Sequence, residues 1–287
     1  MRLLSFIHGD RASFGLRTDR GIVDLGARLG GRVADLRALL DLLDRGMTLP
    51  DLRGAEADFR ADEITWLPPV PRPGKILCVG LNYAEHREET GGRGAHAHPT
   101  LFVRFPDSLV GHRRPLRHPG ISQQYDYEAE LAVVIGRRAF DVPAARAWEV
   151  VLGVSCFMDG SVRDFQFHTG QFTPGKNFRE SGAFGPEIVT LDEVREGFGA
   201  RVIRCVVDGE ERQRATLGEM IFDVPALVAY VTRWTVLEPG DVIATGTPGG
   251  VGFARTPPRF LAPGSRVVVE IDGVGRLENT VRAAEGA

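Results

Sequence analysis

Residues 125–136 read Tyr-Asp-Tyr-Glu-Ala-Glu-Leu-Ala-Val-Val-Ile-Gly, and this stretch decides the fold because its apolar second half predicts a β-strand in a core. Residues two apart share one face of a strand, so Glu128 and Glu130 point the same way. Two carboxylates entering an apolar run repel each other and lose hydration, and a cation between them relieves both costs. The alternative is an edge strand with both acids in water, and this segment alone leaves both interpretations open.

A third acid ends another apolar run. Residues 153–158 are mostly apolar, and the chain turns polar at Asp159. A carboxylate at the end of a buried strand is well placed to complete a metal site. Three carboxylates without a soft ligand favour Mg²⁺, with Mn²⁺ or Ca²⁺ as alternatives, over zinc or copper. Arg163 and Asp164, which follow, are explained equally well as a surface ion pair.

Strands outnumber helices in the rest of the chain. A helix is predicted over residues 224–235, with Asp223 as its N-cap and Leu227, Val228, Val231 and Trp234 on its apolar face. Many strands, few helices and numerous Gly/Pro turns predict an α+β, mainly β fold. The strand candidates, each bounded by turn residues, are 3–7, 13–17, 21–24, 75–79, 127–135, 150–157, 201–207, 241–245 and 266–271.

A proline-rich segment predicts the division into domains. Residues 68–74 contain four prolines and a glycine, which break regular structure. We therefore expect a small N-terminal α+β domain over residues 1–70, with a helix at 33–43, and a larger catalytic domain over residues 71–287.

Residues 91–120 are rich in Gly, Pro, His and Arg and carry few core signals. A long irregular segment of this kind is expected to be a lid, a binding loop or disordered. His96 and His98 form an HxH pair that could bind a metal, although a solvated loop is the more common explanation of such a pair.

The bulk properties exclude several classes of function. The chain has 287 residues and a formal net charge of −3, which argues against a nucleic-acid partner. No signal peptide or membrane-spanning run is predicted, so we expect a cytoplasmic protein without a membrane partner. The three cysteines, Cys78, Cys156 and Cys205, are widely spaced in apolar stretches and are expected to be buried thiols.

Six short blocks, in order, resemble the fumarylacetoacetate hydrolase family from residue 75 to the end of the chain. The resemblance implies an open, barrel-like roll of mixed β-strands in the C-terminal domain, and a homodimer. The blocks are KILCVGLNYAEHREE (75–89), YEAELAVVIG (127–136), MDGSVRDFQ (158–166), GKNF (175–178), AFGPEIVT (183–190) and IATGTPGGVG (243–252).

The resemblance also implies a set of site residues. The metal would be held by Glu128, Glu130 and Asp159. The catalytic candidates are His86, Glu89 and Lys176, and the substrate-binding candidates are Arg163, Gln166, Thr247 and Gly249.

The chemistry of these residues is consistent with that assignment. His86 and Glu89 lie three apart in a predicted helical turn, so Glu89 can orient the imidazole as a general base. Lys176 can pair with a substrate carboxylate or a developing oxyanion. A glycine-rich loop at 245–252 lets backbone amides approach a substrate closely. Taken alone, each of these residues is also explained as a solvated charge or a tight turn.

The expected function is metal-dependent hydrolysis of a carbon–carbon bond in a 1,3-diketo acid of the acylpyruvate or fumarylpyruvate type. The alternatives are an isomerase, tautomerase or decarboxylase acting on a related 2-keto or 2-hydroxymuconate-type dicarboxylate in aromatic catabolism, and a non-catalytic binding relative. The partner in each case is a small keto acid. Two departures from the family pattern are expected to affect substrate choice: Arg104, where lysine is frequent, and Met158, expected in the pocket wall.

Overall fold

A computed structural model describes residues 1–49, 52, 54–91 and 97–284. Within these residues strands predominate, as the sequence predicts. They are β1 (Arg2–His8), β2 (Arg11–Thr18), β3 (Gly21–Asp24), β4 (Thr65–Trp66), β5 (Ile76–Gly80), β6 (Thr100–Val103), β7 (Leu109–Val110), β8 (Leu116–Arg117), β9 (Tyr125–Asp126), β10 (Ala129–Ile135), β11 (Val151–Met158), β12 (Ser161–Val162), β13 (Gly182–Thr190), β14 (Val202–Val207), β15 (Glu210–Thr216), β16 (Val242–Ala244), β17 (Arg266–Ile271) and β18 (Gly275–Arg282).

The helices are short. They are α1 (Leu25–Arg28), α2 (Leu36–Asp44), α3 (Ala84–Glu89), α4 (Arg163–Gln166), α5 (Thr173–Lys176), α6 (Leu191–Val194) and α7 (Val224–Thr232), with 3₁₀ turns at Pro106–Ser108, Ala144–Glu149, Phe198–Ala200, Leu217–Glu219 and Gly252–Ala254.

The quoted stretch forms a strand at the centre of the larger sheet. The strand order of this sheet is β3-β2-β1-β13-β11-β10-β16-β5-β6. In addition, β4 pairs with β1 and β7 pairs with β13. Every residue of β10 is buried, as its continuous apolar run predicts for a strand covered on both faces. Glu130, within β10, and Glu128, immediately before it, are therefore buried in the interior.

A second sheet packs against the first. Its order is β15-β14-β17-β18-β8, and β14 and β17 contact β10, while β17 and β18 contact β11. The two sheets stay open and do not close into a barrel. The apolar side chains between them, including Leu131, Val133, Val269 and Leu277, form the main core.

The N-terminal segment joins the large sheet. β1 pairs with β13 through Arg2 opposite Val189 and Leu3 opposite Ile188. β1–β3 and α2, which begins after the N-cap Asp35, match the elements predicted for residues 1–70. The domain boundary at residue 70 stays a prediction.

Two details of the predicted elements are wrong. Asp223 does cap α7, but the helix ends at Thr232, so Trp234 lies beyond it and is 53% exposed. Residues 97–120 are not wholly irregular, because β6, β7 and β8 lie there and β6 pairs with β5. These strands are two to four residues long, too short for a periodic signal.

No helix within the described ranges is long and apolar enough to cross a membrane. Cys78, Cys156 and Cys205 are free and buried, as predicted.

Candidate active site

The three acidic side chains converge at one end of the β10–β11 pair. Ala129 lies opposite Met158 in this antiparallel ladder, so Glu128 and Asp159 are neighbours at its open end. The backbone N–H of Asp159 donates to the carbonyl of Glu128 at 2.9 Å. One ligand oxygen from each of Glu128, Glu130 and Asp159 lies within 4.8 Å of the others, and all three residues are buried. The alternative of an edge strand with solvated acids is excluded.

Lys176, at the end of α5, lies among these carboxylates. Its ammonium donates to Glu128 Oε2 at 2.9 Å, Asp159 Oδ2 at 2.6 Å and Ser161 Oγ at 2.7 Å. An ammonium has three donors, so all of them are used. Burial alone would lower the pKa of Lys176, but the charges of Asp159 and Glu128 outweigh burial and raise it. Lys176 is therefore a fixed positive charge.

Two arginines complete the charged cluster. Arg163 lies 2.6 Å from Glu128 and 2.8 Å from Asp126, and it also donates to Gln166 at 2.8 Å. The interpretation of Arg163 and Asp164 as a surface pair is wrong, because Arg163 is 1% exposed and Asp164 instead accepts from a serine hydroxyl.

Arg104 is the second arginine, and sequence reasoning did not assign it to the site. Its guanidinium binds Asp159 and also donates to Ser181 Oγ at 3.0 Å and to the Gly160 carbonyl at 3.0 Å. Both oxygens of Asp159 are therefore held by cations, one by Arg104 and the other by Lys176.

Glu128 and Glu130 differ in their electrostatic surroundings. Burial would raise the pKa of Glu128, but Lys176 and Arg163 outweigh it and lower that pKa. Burial, followed by the charges of Asp159 and Glu128, raises the pKa of Glu130 well above its ordinary value. Of the three acids, Glu128 and Asp159 form the ion pairs that the structure describes, whereas Glu130 accepts a backbone N–H from Gly246 at 3.1 Å.

The difference between Glu128, which has cationic partners, and Glu130, whose partner is a backbone N–H, decides whether these residues fit a metal. A buried carboxylate without a cationic partner is costly in its charged form, and a divalent cation beside it removes that cost. The donor set consists of hard carboxylate oxygens alone, which suits Mg²⁺, Mn²⁺ or Ca²⁺. The buried triad therefore fits a divalent metal site.

The predicted dyad is formed on α3. His86 Nδ1 lies 2.6 Å from Glu89 Oε1, and the second oxygen of Glu89 accepts from the Gly250 N–H at 2.8 Å. Glu89 thus connects α3 to the glycine-rich loop and fixes the imidazole plane. His86 is 5% exposed and lines the cavity described next.

A cavity of about 330 Å³ unites most of the candidate residues. This volume lies at the lower end of the range for small-molecule sites, so the cavity suits a small ligand. The sequence-predicted residues in its wall are His86, Glu128, Glu130, Arg163, Gln166, Lys176 and Thr247, and the other lining residues include Phe102, Phe167, Phe172 and Phe253.

Asp159, Glu89 and Gly249 are not among the residues that line the cavity. A Cβ on Gly249 would come within 2.6 Å of the Glu85 side chain, so this glycine allows α3 to pack closely on the loop. The expectation that Met158 forms part of the pocket wall is wrong, because Met158 is not among the residues that line the cavity and packs within the main core.

Of the HxH pair, His98 is not among the residues that line the cavity. His96 lies outside the described residues. The His98 ring stacks on Tyr230, with centroids 5.6 Å apart.

Gln213 on β15 is the other residue that sequence reasoning missed. Its side-chain amide donates to Thr247 Oγ1 at 2.7 Å and to the Pro248 carbonyl at 2.8 Å, and its oxygen accepts from the Ala129 N–H at 2.9 Å. The sequence signal was a lone glutamine among the charged residues of β15, EERQRAT, which does not distinguish it from a solvated residue.

Gly160, which follows Asp159, is expected to be intolerant of substitution. An added Cβ would lie 1.7 Å from the Ser181 carbonyl oxygen, so backbone must move. We expect Gly160→Ala to lower the free energy of unfolding by about 3 kcal/mol and to weaken divalent-cation binding. Chemical denaturation and calorimetric titration with Mn²⁺ measure both.

The matched control is Gly170→Ala, because a Cβ at Gly170 meets nothing within 4 Å. Equal stability of the two variants would contradict the steric argument.

Comparison with known proteins gives a consistent result. Residues 75–282 match the family model described as Fumarylacetoacetate (FAA) hydrolase C-terminal. The chain is 37% identical over 273 residues to the mitochondrial oxaloacetate tautomerase Fahd2a of Rattus norvegicus, covering 90% of this chain and 87% of the relative.

Two solved structures are similar over nearly the whole length. One is the fumarylacetoacetate hydrolase of Exiguobacterium antarcticum, with a TM-score of 0.84 and 36% identity, covering 99% of each chain. The other is maleylpyruvate hydrolase from Sphingobium sp. SYK-6 in complex with manganese(II) and pyruvate, with a TM-score of 0.78 and 28% identity, covering 99% of this chain and 100% of the other.

Proposed function

The chain belongs to the fumarylacetoacetate hydrolase family, and from that premise we propose that it is a metal-dependent tautomerase. Its substrate is a small 2-keto dicarboxylate of the oxaloacetate type, whose enol and keto forms it interconverts. The similarity to an oxaloacetate tautomerase over 90% of the chain supports this reaction above hydrolysis, the reaction expected from the sequence and its family resemblance.

One observation carries the proposal: two buried carboxylates, Glu128 and Glu130, line one small cavity together with two buried cations, and Asp159 lies within 4.8 Å of both carboxylates. A cavity of about 330 Å³ suits a compact dianion rather than a long substrate. Arg163 and Lys176 line the cavity and supply positive charge for the carboxylates of such a substrate.

We propose Mg²⁺ as the metal, with Mn²⁺ and Ca²⁺ as alternatives, held by Glu128, Glu130 and Asp159. When bound, a divalent cation supplies Lewis-acid stabilisation of a developing enolate oxygen. The structural relative that holds manganese(II) and pyruvate supports a site of this kind.

The protein's own side chains bind and orient the substrate. Arg163, Gln166 and Thr247 present polar groups to the cavity, and Lys176 holds a fixed positive charge beside the carboxylates. Tautomerisation breaks an enol O–H bond and forms a C–H bond at the neighbouring carbon, so a proton moves and no water is consumed. A solvent molecule in the cavity can exchange that proton, and a general base that activates water is not required.

Hydrolysis of a carbon–carbon bond in an acylpyruvate is the second candidate. The specific observation in its favour is the oriented dyad, in which Glu89 holds His86 at 2.6 Å in the cavity wall. A neutral imidazole that donates from Nδ1 keeps a lone pair on Nε2, which can take a proton from water. Similarity to maleylpyruvate hydrolase also supports it, and such an activity would belong to aromatic catabolism.

A substrate panel tests the proposal. Decay of enol-oxaloacetate is followed by ultraviolet absorbance with Mg²⁺ and after chelation, beside a series of acylpyruvates. We expect metal-dependent acceleration of enol decay and slow cleavage of the acylpyruvates. Absence of any acceleration, with rapid acylpyruvate cleavage, would replace the tautomerase by the hydrolase. Light scattering of the same preparation tests the homodimer that we propose for it.

The variant His86→Ala separates the two reactions. Removing a general base is expected to lower any acylpyruvate hydrolysis by roughly 10²- to 10⁴-fold. Because tautomerisation does not need an activated water, its rate should stay within about tenfold of the wild type. Steady-state kinetics on both substrates measure the difference, with His98→Ala, outside the cavity wall, as the control. A fall of the tautomerase rate by the larger factor would assign the proton transfer to His86.

A further inference from the structure

We propose that Gln213 is a positioning residue that fixes the hydroxyl of Thr247 as a hydrogen-bond donor toward an oxygen of a dianionic substrate. The inference rests on the proposed function in one respect, which is that the 330 Å³ cavity lined by Thr247 is the substrate site. It adds to that function the group that donates a hydrogen bond to a substrate oxygen, the Thr247 hydroxyl, and the residue that orients this group, Gln213.

The orientation of the Gln213 amide follows from its partners. The Ala129 N–H can only donate, so the atom facing it at 2.9 Å must be the amide oxygen. The Pro248 carbonyl can only accept, so the atom facing it at 2.8 Å must be the amide nitrogen. Two independent neighbours therefore give the same assignment of oxygen and nitrogen, and a flipped amide would lose both bonds.

This orientation fixes the direction of the Thr247 hydroxyl. The same amide nitrogen donates to Thr247 Oγ1 at 2.7 Å, so the hydroxyl oxygen is an acceptor there and its proton points elsewhere. No acceptor for that proton is found among the residues the structure describes, and Thr247 is 2% exposed in the wall of the cavity. A hydroxyl with an occupied lone pair and an unused proton is a donor for a carboxylate or enolate oxygen.

The position of Gln213 depends on a bulge in the second sheet. Cys205 lies opposite Gln213 while Val206 lies opposite Glu211, so Arg212 is the extra residue on β15. A bulge re-aims neighbouring side chains and is common beside functional sites. The Arg212 carbonyl lies where a Cβ on Gly250 would come within 2.2 Å, and Gly250 has φ +98°. The bulge therefore packs directly against the glycine-rich loop.

The amide also connects two parts of the site. Ala129 lies between Glu128 and Glu130, and Thr247 and Pro248 lie in the loop whose Gly250 N–H binds Glu89. One buried side chain thus holds the metal-binding strand and the substrate-binding loop at a fixed separation. Because all of its hydrogen bonds are internal, Gln213 acts on the substrate through Thr247 and does not touch it.

Oxalate is a suitable probe because it is a planar dianion that resembles the keto-acid end of an enolate. Its binding to the full-length chain in the presence of Mn²⁺ is measured by isothermal titration calorimetry, independently of turnover. The variants are Gln213→Glu, Gln213→Met, Thr247→Val and the double variant Gln213→Glu/Thr247→Val. The buried amide of Asn279, which donates to two backbone carbonyls away from the cavity, supplies the matched control Asn279→Asp.

In Gln213→Glu the carboxylate can still accept from Ala129, but it also accepts the Thr247 proton and turns the hydroxyl away from the cavity. We expect the oxalate Kd to rise about tenfold, as for loss of one hydrogen bond to a charged group. Thr247→Val and Gln213→Met should give a similar rise. The oxalate Kd of the double variant should exceed that of either single variant by no more than about twofold, because both changes remove the same donor. Asn279→Asp should lower Tm and leave the Kd unchanged.

Four results would overturn the inference. A wild-type oxalate Kd in Gln213→Glu would show that the Gln213 amide is not required to orient the Thr247 hydroxyl. A double variant in which the two losses multiply would assign the effect to the added negative charge, and equal weakening by Asn279→Asp would assign it to general loosening. Absence of oxalate binding by the wild type would also count against it. If this pattern of Kd values holds while enol-oxaloacetate is not turned over, only the proposed reaction fails.

Discussion

Replacing Glu130 by glutamine is expected to abolish divalent-cation binding and to lower turnover at least 100-fold, while the metal-free protein becomes as stable as the wild type or more stable. Loss of a carboxylate ligand removes both a charge and an oxygen donor from the metal site, whereas an amide of the same shape keeps the packing. Calorimetric titration with Mn²⁺ and thermal unfolding with chelator measure the two effects.

The stability effect has a definite dependence on pH. The pKa of Glu130 is raised above its ordinary value of 4.5, because of burial and then the charges of Asp159 and Glu128. The folded state therefore holds this proton more tightly than the unfolded chain does, and the metal-free wild type loses stability as pH rises above about 4.5 toward the folded pKa. Glutamine lacks that titration, so the stability advantage of Glu130→Gln should grow with pH.

Glu128→Gln is the matched comparison, because the same chemical change should have the opposite effect there. Glu128 accepts from Lys176 at 2.9 Å and lies 2.6 Å from Arg163, and these cations lower its pKa. Removing its charge leaves two buried cations with fewer partners, so we expect metal-free Glu128→Gln to be less stable than the wild type. Equal destabilisation of both glutamine variants would contradict the difference in electrostatic surroundings that we infer for Glu128 and Glu130.

The convergence of the three acids is the part of the candidate site that the sequence predicts best. Glu128 and Glu130 are separated by the two-residue period of a strand, and Asp159 lies where an apolar run turns polar, so local pattern alone brings the acids to strand ends. That the two strand ends are adjacent depends on the register of Ala129 opposite Met158, which neither local pattern nor the family resemblance predicted; the resemblance implied only that the three acids share one metal.

The contacts of Arg104 and Gln213 in the site were not predicted, because their environment is set by long-range packing. Arg104 follows β6 and meets Asp159 55 residues later, and Gln213 meets Ala129 84 positions away. Neither has a neighbour in sequence that marks it as buried. For Trp234 the error was the opposite one. Its helical spacing predicted a place on the apolar face of α7, but it lies beyond the last turn of that helix and is exposed.

Lys176 could have been singled out from composition. The chain has 35 basic residues, and two of them, Lys75 and Lys176, are lysines. A compact ammonium fits a niche formed by three oxygens, whereas a planar guanidinium does not. In an arginine-rich sequence a buried lysine therefore indicates a site that requires that shape.

Lys176→Met is expected to separate metal binding from catalysis. The Lys176 ammonium donates to Glu128 Oε2 and Asp159 Oδ2, oxygens that the metal also requires. Removing it should leave Mn²⁺ affinity equal to that of the wild type or higher, because a competing cation is lost. Turnover of enol-oxaloacetate should nevertheless fall by roughly 10²- to 10³-fold, the loss typical of removing one preorganised group that stabilises developing negative charge.

The same variant should be less stable than the wild type without metal, because Glu128 and Asp159 lose a buried counter-charge, and Mn²⁺ should restore its stability. Lys176→Arg should not rescue turnover, since Lys176 is 1% exposed and the longer planar group has no room there. Lys75→Met is the control, because Lys75 pairs with Asp241 outside the cavity wall. Loss of Mn²⁺ binding in Lys176→Met would show that the lysine organises the carboxylates rather than competing for them, and the assignment of Lys176 as a charge directed at the substrate would then be withdrawn.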